Sequence, residues 1–192
     1  MAAPEGQTVD GFESQFGVNH SAHFLIFMLV KDTMLKSSSP DFASRVVNVS
    51  SSGHMAGEVQ SGSHEFENGN YGLWVGYGQN KTANIYMADE IENRYGIEGL
   101  HNLSLHPGGI WTGLQKSIPA ETMAEWKKRP NVDNILKRPE QGAATSVLAA
   151  VGKEYEGKGR LHLENCITAK PMEDEEDGYM AYASDREKEA EL

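Results

Sequence analysis

Apolar residues recur at helical spacing in one long stretch near the middle of the chain, between residues 71 and 94. Ile85, Ala88 and Ile91 follow one another there at intervals of a helical turn, and no proline interrupts the stretch. This pattern predicts a helix.

A second helix is expected near the start of the chain. Asp10 is a plausible N-cap, with Glu13 three residues further on, as in a capping box. The helical pattern continues to about Lys36 and is apolar around much of the circumference, so we expect this helix to be largely buried. An alanine-rich run over residues 140–151 predicts a third helix.

Three short apolar runs predict β-strands between the helices. Residues 45–50 are rich in β-branched side chains and bounded by turn residues, which is typical of a buried strand. Residues 99–106 form a second run, which ends sharply at Pro107-Gly108-Gly109, and residues 159–164 form a third. Residues 51–70, rich in Ser, Gly, His and Glu, are expected to be a loop.

The alternation of helices and strands predicts an α/β fold in which helical crossovers join parallel strands. In such sheets the reactive groups collect at the carboxyl ends of the strands. The serines at 50–52 follow the first strand, and Pro107-Gly108 follows the second. Tyr77 lies near the start of the intervening helix, so we expect it to face the same edge.

Composition narrows the function classes. A formal net charge of −11 disfavours non-specific binding to nucleic acids or anionic membranes, because the negative field repels polyanions. The apolar run at residues 24–30 is too short to span a bilayer. The single cysteine, Cys166, excludes an internal disulfide and a cysteine-based zinc cluster, and favours a reducing, cytoplasmic compartment. Cys166 is expected to be a buried small hydrophobe. His20 and His23 lack a third ligand at matching spacing, so no metal site is predicted.

Tyr77 and Lys81 are the first candidates for chemistry. Residues four apart share one face of a helix, so the phenol and the ammonium are expected to lie side by side. A nearby cation favours the phenolate and lowers a phenol pKa that starts near ~10. The pair could therefore act as a general acid or base near neutral pH, although the same spacing also occurs in ordinary surface pairs.

Four short motifs occur together along the chain. They are Gly17-Val18-Asn19-His20, Asn48-Val49-Ser50-Ser51, Tyr77-x-x-x-Lys81 and His106-Pro107-Gly108-Gly109-Ile110-x-Thr112. In order and rough spacing they resemble the short-chain dehydrogenase/reductases, most of all the retinol dehydrogenase and WW-domain oxidoreductase branch. The resemblance runs from residue 1 to about residue 159.

The resemblance implies a role for each matching residue. Tyr77 is expected to exchange a proton with an alcohol or carbonyl oxygen, and Lys81 to lower the pKa of Tyr77 and to hydrogen-bond the nicotinamide ribose. Ser51 is expected to hydrogen-bond the substrate oxygen, with the neighbouring serines as competitors, and Asn19 to hold a water in a proton relay to Lys81. The nicotinamide end of the cofactor is expected to be lined by Pro107, Gly108 and Thr112. The cofactor itself is expected to be NADP or NAD, with NADP favoured by analogy to the branch.

The first half of the family's pattern has no counterpart in this chain. No Gly-x-x-x-Gly-x-Gly follows a predicted strand, and the selector for the adenosine ribose is missing as well. The implied fold is therefore a partial Rossmann-like, doubly wound parallel sheet, its C-terminal half only, with helices on its faces. The first strand is expected to be an exposed apolar edge, and cofactor binding to be weak or absent.

One truncated domain is expected over residues 1–192. We divide it into a catalytic core part (1–109), a substrate lid (110–138), the last helix and strand (139–170) and an acidic tail (171–192). The lid is expected to be irregular or weakly helical and mobile. Its Trp111, Met123 and Trp126 could contact an apolar substrate or pack the lid down. The acid run at 173–177 is expected to be a solvated loop, followed by a charged helical stretch over 184–192.

Two function classes stay open. The first is an NAD(P)-dependent oxidoreductase that acts on a carbonyl or alcohol of a small hydrophobic substrate. The second is a non-catalytic fragment. In the family, the helices that bear Asn19 and Tyr77 form a dimer interface, so the resemblance also implies a homodimer.

Overall fold

A four-stranded sheet lies at the centre of the fold. The computed structural model describes residues 1–60, 71–130, 132, 136–172 and 178–192. The strands are β1 (Ser44–Val49), β2 (Leu100–His106), β3 (Gly109–Ile110), β4 (Leu136–Lys137), β5 (Leu161–Glu164) and β6 (Ile167–Thr168). The main sheet has the order β1-β2-β5-β6, with the first three strands parallel and β6 antiparallel to β5. The predicted parallel sheet is confirmed, whereas β6 and the separate β3–β4 pair are not evident in the apolar pattern.

Helices cover both faces of this sheet. Helix α1 runs through Ser14–Phe16, a π-helical turn at Gly17–Ser21 and Ala22–Ser37, and it is followed by α2 (Leu73–Tyr95), α3 (Ala120–Lys127), α4 (Pro139–Val151) and α5 (Arg186–Glu191). Two apolar clusters mark the two faces: Leu103, Leu105, Ala149, Tyr155 and Leu163 on the α4 side, and Phe27, Met87, Ile91 and Leu100 on the side of α1 and α2. The fold is thus a partial doubly wound sheet, as the resemblance implies.

Helix α1 differs from its prediction at its start and in its burial. It begins at Ser14, because the carboxylate of Glu13, not of Asp10, accepts the backbone N–H groups of Gln15 and Phe16. Within Ala22–Ser37 only Phe27 is buried, and Leu29 is 75% exposed. The expectation of a largely buried helix is therefore wrong. Among the residues that the structure describes, β1 is the last strand on this side of the sheet, so α1 has only one side to pack against.

Strand β1 forms an open edge. In the described part of the chain β1 pairs with β2 alone, from Ser44 opposite Leu100 to Val49 opposite Leu105. Asn48 is its one buried residue, so the interpretation as a buried strand is wrong and the expectation of an exposed edge is confirmed. Such an edge leaves a row of backbone hydrogen-bonding groups without strand partners.

The C-terminal segment 178–192 packs against α2 and covers it. Arg160, next to β5, forms a bidentate ion pair with Glu189 of α5 at 2.7 and 2.9 Å. The Tyr86 hydroxyl of α2 donates to the Tyr182 carbonyl at 2.6 Å. The predicted charged C-terminal helix is confirmed as α5, whereas the acid run at 173–177 lies outside the described residues.

Two local predictions need correction. Residues 110–138 are more regular than expected, because they contain a 3-10 turn at Gly113–Ser117 and helix α3, and the β3–β4 pair joins their two ends. Cys166 is exposed rather than buried. Asn165 and Cys166 both have positive φ, 51° and 62°, and form the two-residue turn between β5 and β6, which places Cys166 at a hairpin tip.

The expected loop at 51–70 begins with a 3-10 turn at Ser52–Ala56, and residues 61–70 lie outside the described chain.

Candidate active site

The serines that follow β1 point in different directions. The hydroxyl of Ser50 is buried and donates to the Lys81 carbonyl at 2.7 Å, so Ser50 anchors the strand end to α2. The Ser51 hydroxyl accepts the Gly53 N–H at 3.0 Å, and a Cβ at Gly53 would lie between this hydroxyl, at 3.3 Å, and the Tyr77 ring, at 2.5 Å. Ser51 is therefore the serine that faces Tyr77, as the motif implies.

Tyr77 and Lys81 share one face of α2. The Lys81 Nζ lies 5.7 Å from the centroid of the Tyr77 ring and donates to the Val49 carbonyl at 3.1 Å. The ammonium is thus held at the carboxyl end of β1, beside the phenol. Burial lowers the pKa of Lys81 to about 8.

The pKa of the Tyr77 phenol is shifted upward, whereas the sequence predicts a downward shift. Burial raises this pKa above the usual value for a phenol, and the hydrogen bond from Ser51 offsets the rise only in part. The reason is that the phenol lies in a largely dry setting, where losing solvent penalises the phenolate. The expected lowering of the Tyr77 pKa by Lys81 is therefore not found in this structure.

Asn19 lies in the π-helical turn of α1. This turn interrupts the regular helix, a feature often found at functional sites. The Asn19 carbonyl accepts the Asn84 side-chain amide at 3.1 Å, which ties the turn to α2. His20 and His23 contact different partners: the His20 ring meets the Asn84 side chain at 3.2 Å, and the His23 ring meets the Asn19 carbonyl at 2.8 Å.

The end of β2 supplies the opposite wall. His106 is buried and accepts the Ser52 N–H through Nδ1 at 3.1 Å, and burial lowers its pKa to about 4, so the ring is neutral at ordinary pH. Gly108 has a φ of +95°, a backbone conformation that favours glycine. Lys137 of β4 donates to the Pro107 carbonyl at 3.3 Å and holds this turn against the β3–β4 pair.

One cleft of about 630 Å³ joins these elements. Its lining includes all seven residues singled out from the sequence: Asn19, Ser51, Tyr77, Lys81, Pro107, Gly108 and Thr112. Trp111 and Trp126 also line it, whereas Met123 is not among its lining residues. The arrangement thus places a phenol, a hydroxyl and an amine around one space with partly aromatic walls.

Trp74 is a cleft residue that sequence reasoning misses. Its indole lies 5.5 Å from the Trp126 ring and 6.1 Å from the Tyr77 ring, measured between centroids. The available signal is its position three residues before Tyr77, which places both side chains on one helix face. The aromatic cluster gives the cleft an apolar wall suited to a hydrophobic ligand.

The cleft fits one end of a nicotinamide dinucleotide. Its polar groups suit a ribose and a nicotinamide, because Lys81 and Tyr77 present an amine and a hydroxyl beside the turn after β2. A Gly-x-x-x-Gly-x-Gly spacing does occur at Gly72, Gly76 and Gly78, but it lies at the start of α2. There Gly78 allows α2 to approach the backbone of Ala56 and Gly57. The described residues therefore hold no phosphate-cradling turn after a strand.

The fold and cleft define a class: a partial doubly wound α/β domain with a Ser–Tyr–Lys constellation at the carboxyl ends of its strands. No family model matches the chain. The chain is 51% identical over 172 residues to the short-chain dehydrogenase/reductase prx1 of Penicillium roqueforti. The aligned region covers 90% of this chain and 50% of that protein. It is 35% identical over 181 residues to human retinol dehydrogenase 13, covering 92% and 54%, and 33% identical over 172 residues to the chicken WW domain-containing oxidoreductase, covering 85% and 40%.

Several solved structures share the fold of this chain. The fold matches an uncharacterised protein from Mycobacterium paratuberculosis with a TM-score of 0.67 and 28% identity, over 100% of this chain and 60% of that one. It also matches the Pseudomonas aeruginosa RhlG/NADP active-site complex (TM-score 0.57, 19% identity, 85% and 60% covered). A third match is a short-chain dehydrogenase from Mycobacterium paratuberculosis bound to NAD (TM-score 0.56, 14% identity, 77% and 52% covered).

The chain is therefore a relative of the short-chain dehydrogenase/reductases, as the sequence motifs predict. It spans about half the length of the curated relatives it matches. Among the described residues, none of the helices combines the length and the apolar character needed to cross a membrane.

Proposed function

We propose that the cleft is the reaction site of an NAD(P)-dependent oxidoreductase that interconverts a carbonyl and an alcohol on a small hydrophobic substrate. The observation that carries the proposal is the convergence of Ser51, Tyr77, Lys81 and Asn19 on one cleft. Three tryptophans in the same cleft support a hydrophobic substrate.

Each residue then has a defined task. The Tyr77 hydroxyl exchanges a proton with the substrate oxygen, and the Ser51 hydroxyl holds that oxygen by a second hydrogen bond. Lys81 binds the nicotinamide ribose, and Asn19 holds a water that connects Lys81 to solvent. Pro107, Gly108 and Thr112 line the nicotinamide end. The nicotinamide, when bound, supplies or accepts the hydride, while the protein orients the reactants and moves the proton.

The state of Tyr77 favours reduction of a carbonyl. Because burial raises its pKa, the phenol is protonated at neutral pH. A protonated phenol is the form that donates a proton to a carbonyl oxygen as it becomes an alcohol. Oxidation of an alcohol needs the phenolate, so we expect it to be favoured only at alkaline pH.

A consumption assay tests this function. Purified protein at high concentration is incubated with NADPH or NADH and a long-chain aldehyde such as decanal, and loss of the reduced cofactor is followed by absorbance. We expect slow consumption that Tyr77→Phe abolishes and Tyr95→Phe leaves unchanged, because Tyr95 lies at the far end of the same helix. Equal rates in the two variants would contradict the proposed role of Tyr77.

Weak cofactor binding is part of the proposal. The described residues fit the nicotinamide end and offer no cradle for the pyrophosphate, and contacts to that remote part normally contribute several kcal/mol to positioning. NADP is favoured over NAD by analogy to the branch. Titration calorimetry with NADPH and NADH should show no binding in the micromolar range. Micromolar affinity for either cofactor would refute this expectation.

The alternative is a non-catalytic interaction protein, and the open edge of β1 favours it. In addition, α1 leaves Leu25, Ile26 and Leu29 more than half exposed, whereas the C-terminal segment covers much of α2. A homodimer through α1 is the corresponding proposal. Light scattering of the native chain and of Leu29→Lys tests it: we expect a dimer that the substitution dissociates. A monomeric native chain would exclude this interface.

A further inference from the structure

His54 occupies a buried position that the proposed reaction does not use. It lies in the 3-10 turn Ser52–Ala56, which begins at the residue after Ser51, and its side chain is fully buried. A fully buried imidazole has to satisfy both of its ring nitrogens inside the protein. The partners of those nitrogens therefore indicate what the residue holds in place.

The Nδ1 atom of His54 holds the backbone of Ser51. It lies 2.7 Å from the Ser51 carbonyl oxygen, which can only accept a hydrogen bond, so Nδ1 carries the proton. The backbone N–H of His54 donates to the same carbonyl at 3.0 Å. Two donors from one residue thus fix the Ser51 carbonyl, while the Ser51 hydroxyl is left to meet Tyr77.

The Nε2 atom of His54 holds the C-terminal segment. It lies 3.1 Å from the backbone nitrogen of Met180, which can only donate, so Nε2 is the unprotonated nitrogen and the tautomer is consistent with the first bond. The Tyr182 hydroxyl donates to the His54 carbonyl at 2.7 Å. Segment 178–192 therefore contacts His54 at both its ring and its backbone.

The groups around the ring keep it neutral. Burial is the main cause that lowers the pKa of His54. The His162 ring lies 5.9 Å from it, between centroids, and the pKa of His162 is itself lowered to about 3, mainly by burial. Neutral His54 has one donor and one acceptor, which is what its two partners require.

We propose that His54 is a positioning residue, which sets the Ser51 hydroxyl against Tyr77 through the Ser51 carbonyl and takes its own position from the backbone of Met180. The inference rests on the proposed function only in that Ser51 and Tyr77 act on the substrate. In the structure, His54 links the C-terminal segment to the reactive serine.

Two amide variants, each of which replaces one ring nitrogen of His54, separate the two ends of this link. In His54→Asn the side-chain amide nitrogen can replace Nδ1 and keep the bond to Ser51, but it cannot reach Met180. In His54→Gln the side-chain oxygen can replace Nε2 and keep the bond to Met180, but the donor to the Ser51 carbonyl is lost. Neither variant adds volume to a buried site.

Amide hydrogen exchange measured by NMR on the full chain reads out each end without any need for turnover. The Gly53 N–H donates to the Ser51 hydroxyl oxygen at 3.0 Å, so its protection reports the orientation of that hydroxyl, and the Met180 N–H reports the other end. We expect His54→Gln to accelerate Gly53 exchange about fivefold, the effect of one hydrogen bond of about 1 kcal/mol, with Met180 unchanged. His54→Asn should show the reverse pattern.

The result can go against the proposal in two ways. If both variants accelerate the exchange of Gly53 and Met180 alike, His54 is only a packing residue and the proposal is overturned. The proposal also fails if His54→Gln leaves Gly53 exchange unchanged. Amides of β2 serve as the control for global stability. A native chain without cofactor consumption, but with the expected exchange pattern, would contradict the proposed function and leave the positioning link intact.

Discussion

Asp89 and Glu189 share a single cation at the junction of α2 and α5. Both side chains are almost fully buried, and Arg160 is the cation, 3.7 Å from an Asp89 oxygen and bidentate to Glu189. Burial, and then the neighbouring charge of Glu189 against the opposing effect of Arg160, raises the pKa of Asp89 to about 7. Asp89 is therefore protonated below that pH.

We predict that Asp89→Asn stabilises the fold most at alkaline pH. The pKa of Asp89 is raised from 3.8 in the unfolded chain to about 7 in the folded one, so the ionised carboxylate lowers the free energy of unfolding. This penalty is complete at a pH above the folded-state pKa and absent at a pH below the unfolded-state pKa. The corresponding penalty is about 4 kcal/mol near pH 8 and about 2 kcal/mol near pH 5. Asparagine mimics the uncharged, protonated acid, so the variant should gain about these amounts.

Urea unfolding of the native chain and of Asp89→Asn at the two pH values measures the difference. Glu90→Gln is the matched control, because it removes a carboxylate from the next position of α2, where Glu90 pairs with Arg94 at the surface. We expect the control to change the free energy of unfolding by less than about 1 kcal/mol at both pH values. A gain from Asp89→Asn that does not depend on pH, or a loss near pH 8, would refute the raised pKa of Asp89.

Two further predictions concern the core and the cleft. Leu103→Ala should lower the free energy of unfolding by about 2–5 kcal/mol, because the side chain is fully buried in the sheet cluster. Ile97→Ala, at 97% exposure, should change it by no more than about 0.5 kcal/mol, and urea unfolding of both variants decides this. Gly53→Ala should abolish cofactor consumption, since the new Cβ would lie 2.5 Å from the Tyr77 ring, while Gly113→Ala, which faces open space, should leave the rate of absorbance loss unchanged.

The elements that carry the cleft could be predicted because their signals are local. Helix α2 has an uninterrupted apolar pattern, and the turns after β1 and β2 are marked by serines and by Pro107-Gly108. The rule that parallel strands present their carboxyl ends at one edge then brings these turns together. Spacing on one helix places Lys81 beside Tyr77. Local periodicity and one topological rule thus suffice to assemble the candidate residues.

The remaining features depend on contacts that are distant in the sequence. The exposure of α1 depends on which strands lie beyond β1, and no periodicity within α1 reports that. The direction of the Tyr77 pKa depends on how deeply the phenol is buried, which the Tyr-x-x-x-Lys spacing does not encode. The Met180 contact of His54 joins residues 126 positions apart, and no local sequence pattern around either residue encodes it.

The position of the cleft within the fold separates the chemistry from the affinity for a cofactor. The groups proposed to handle the proton lie on α1, on α2 and at the ends of β1 and β2, and all of these belong to this half of the sheet. A dinucleotide gains much of its binding energy from the phosphates and the adenosine, for which the described residues offer no cradle, and that remote energy normally serves to orient the reactive end.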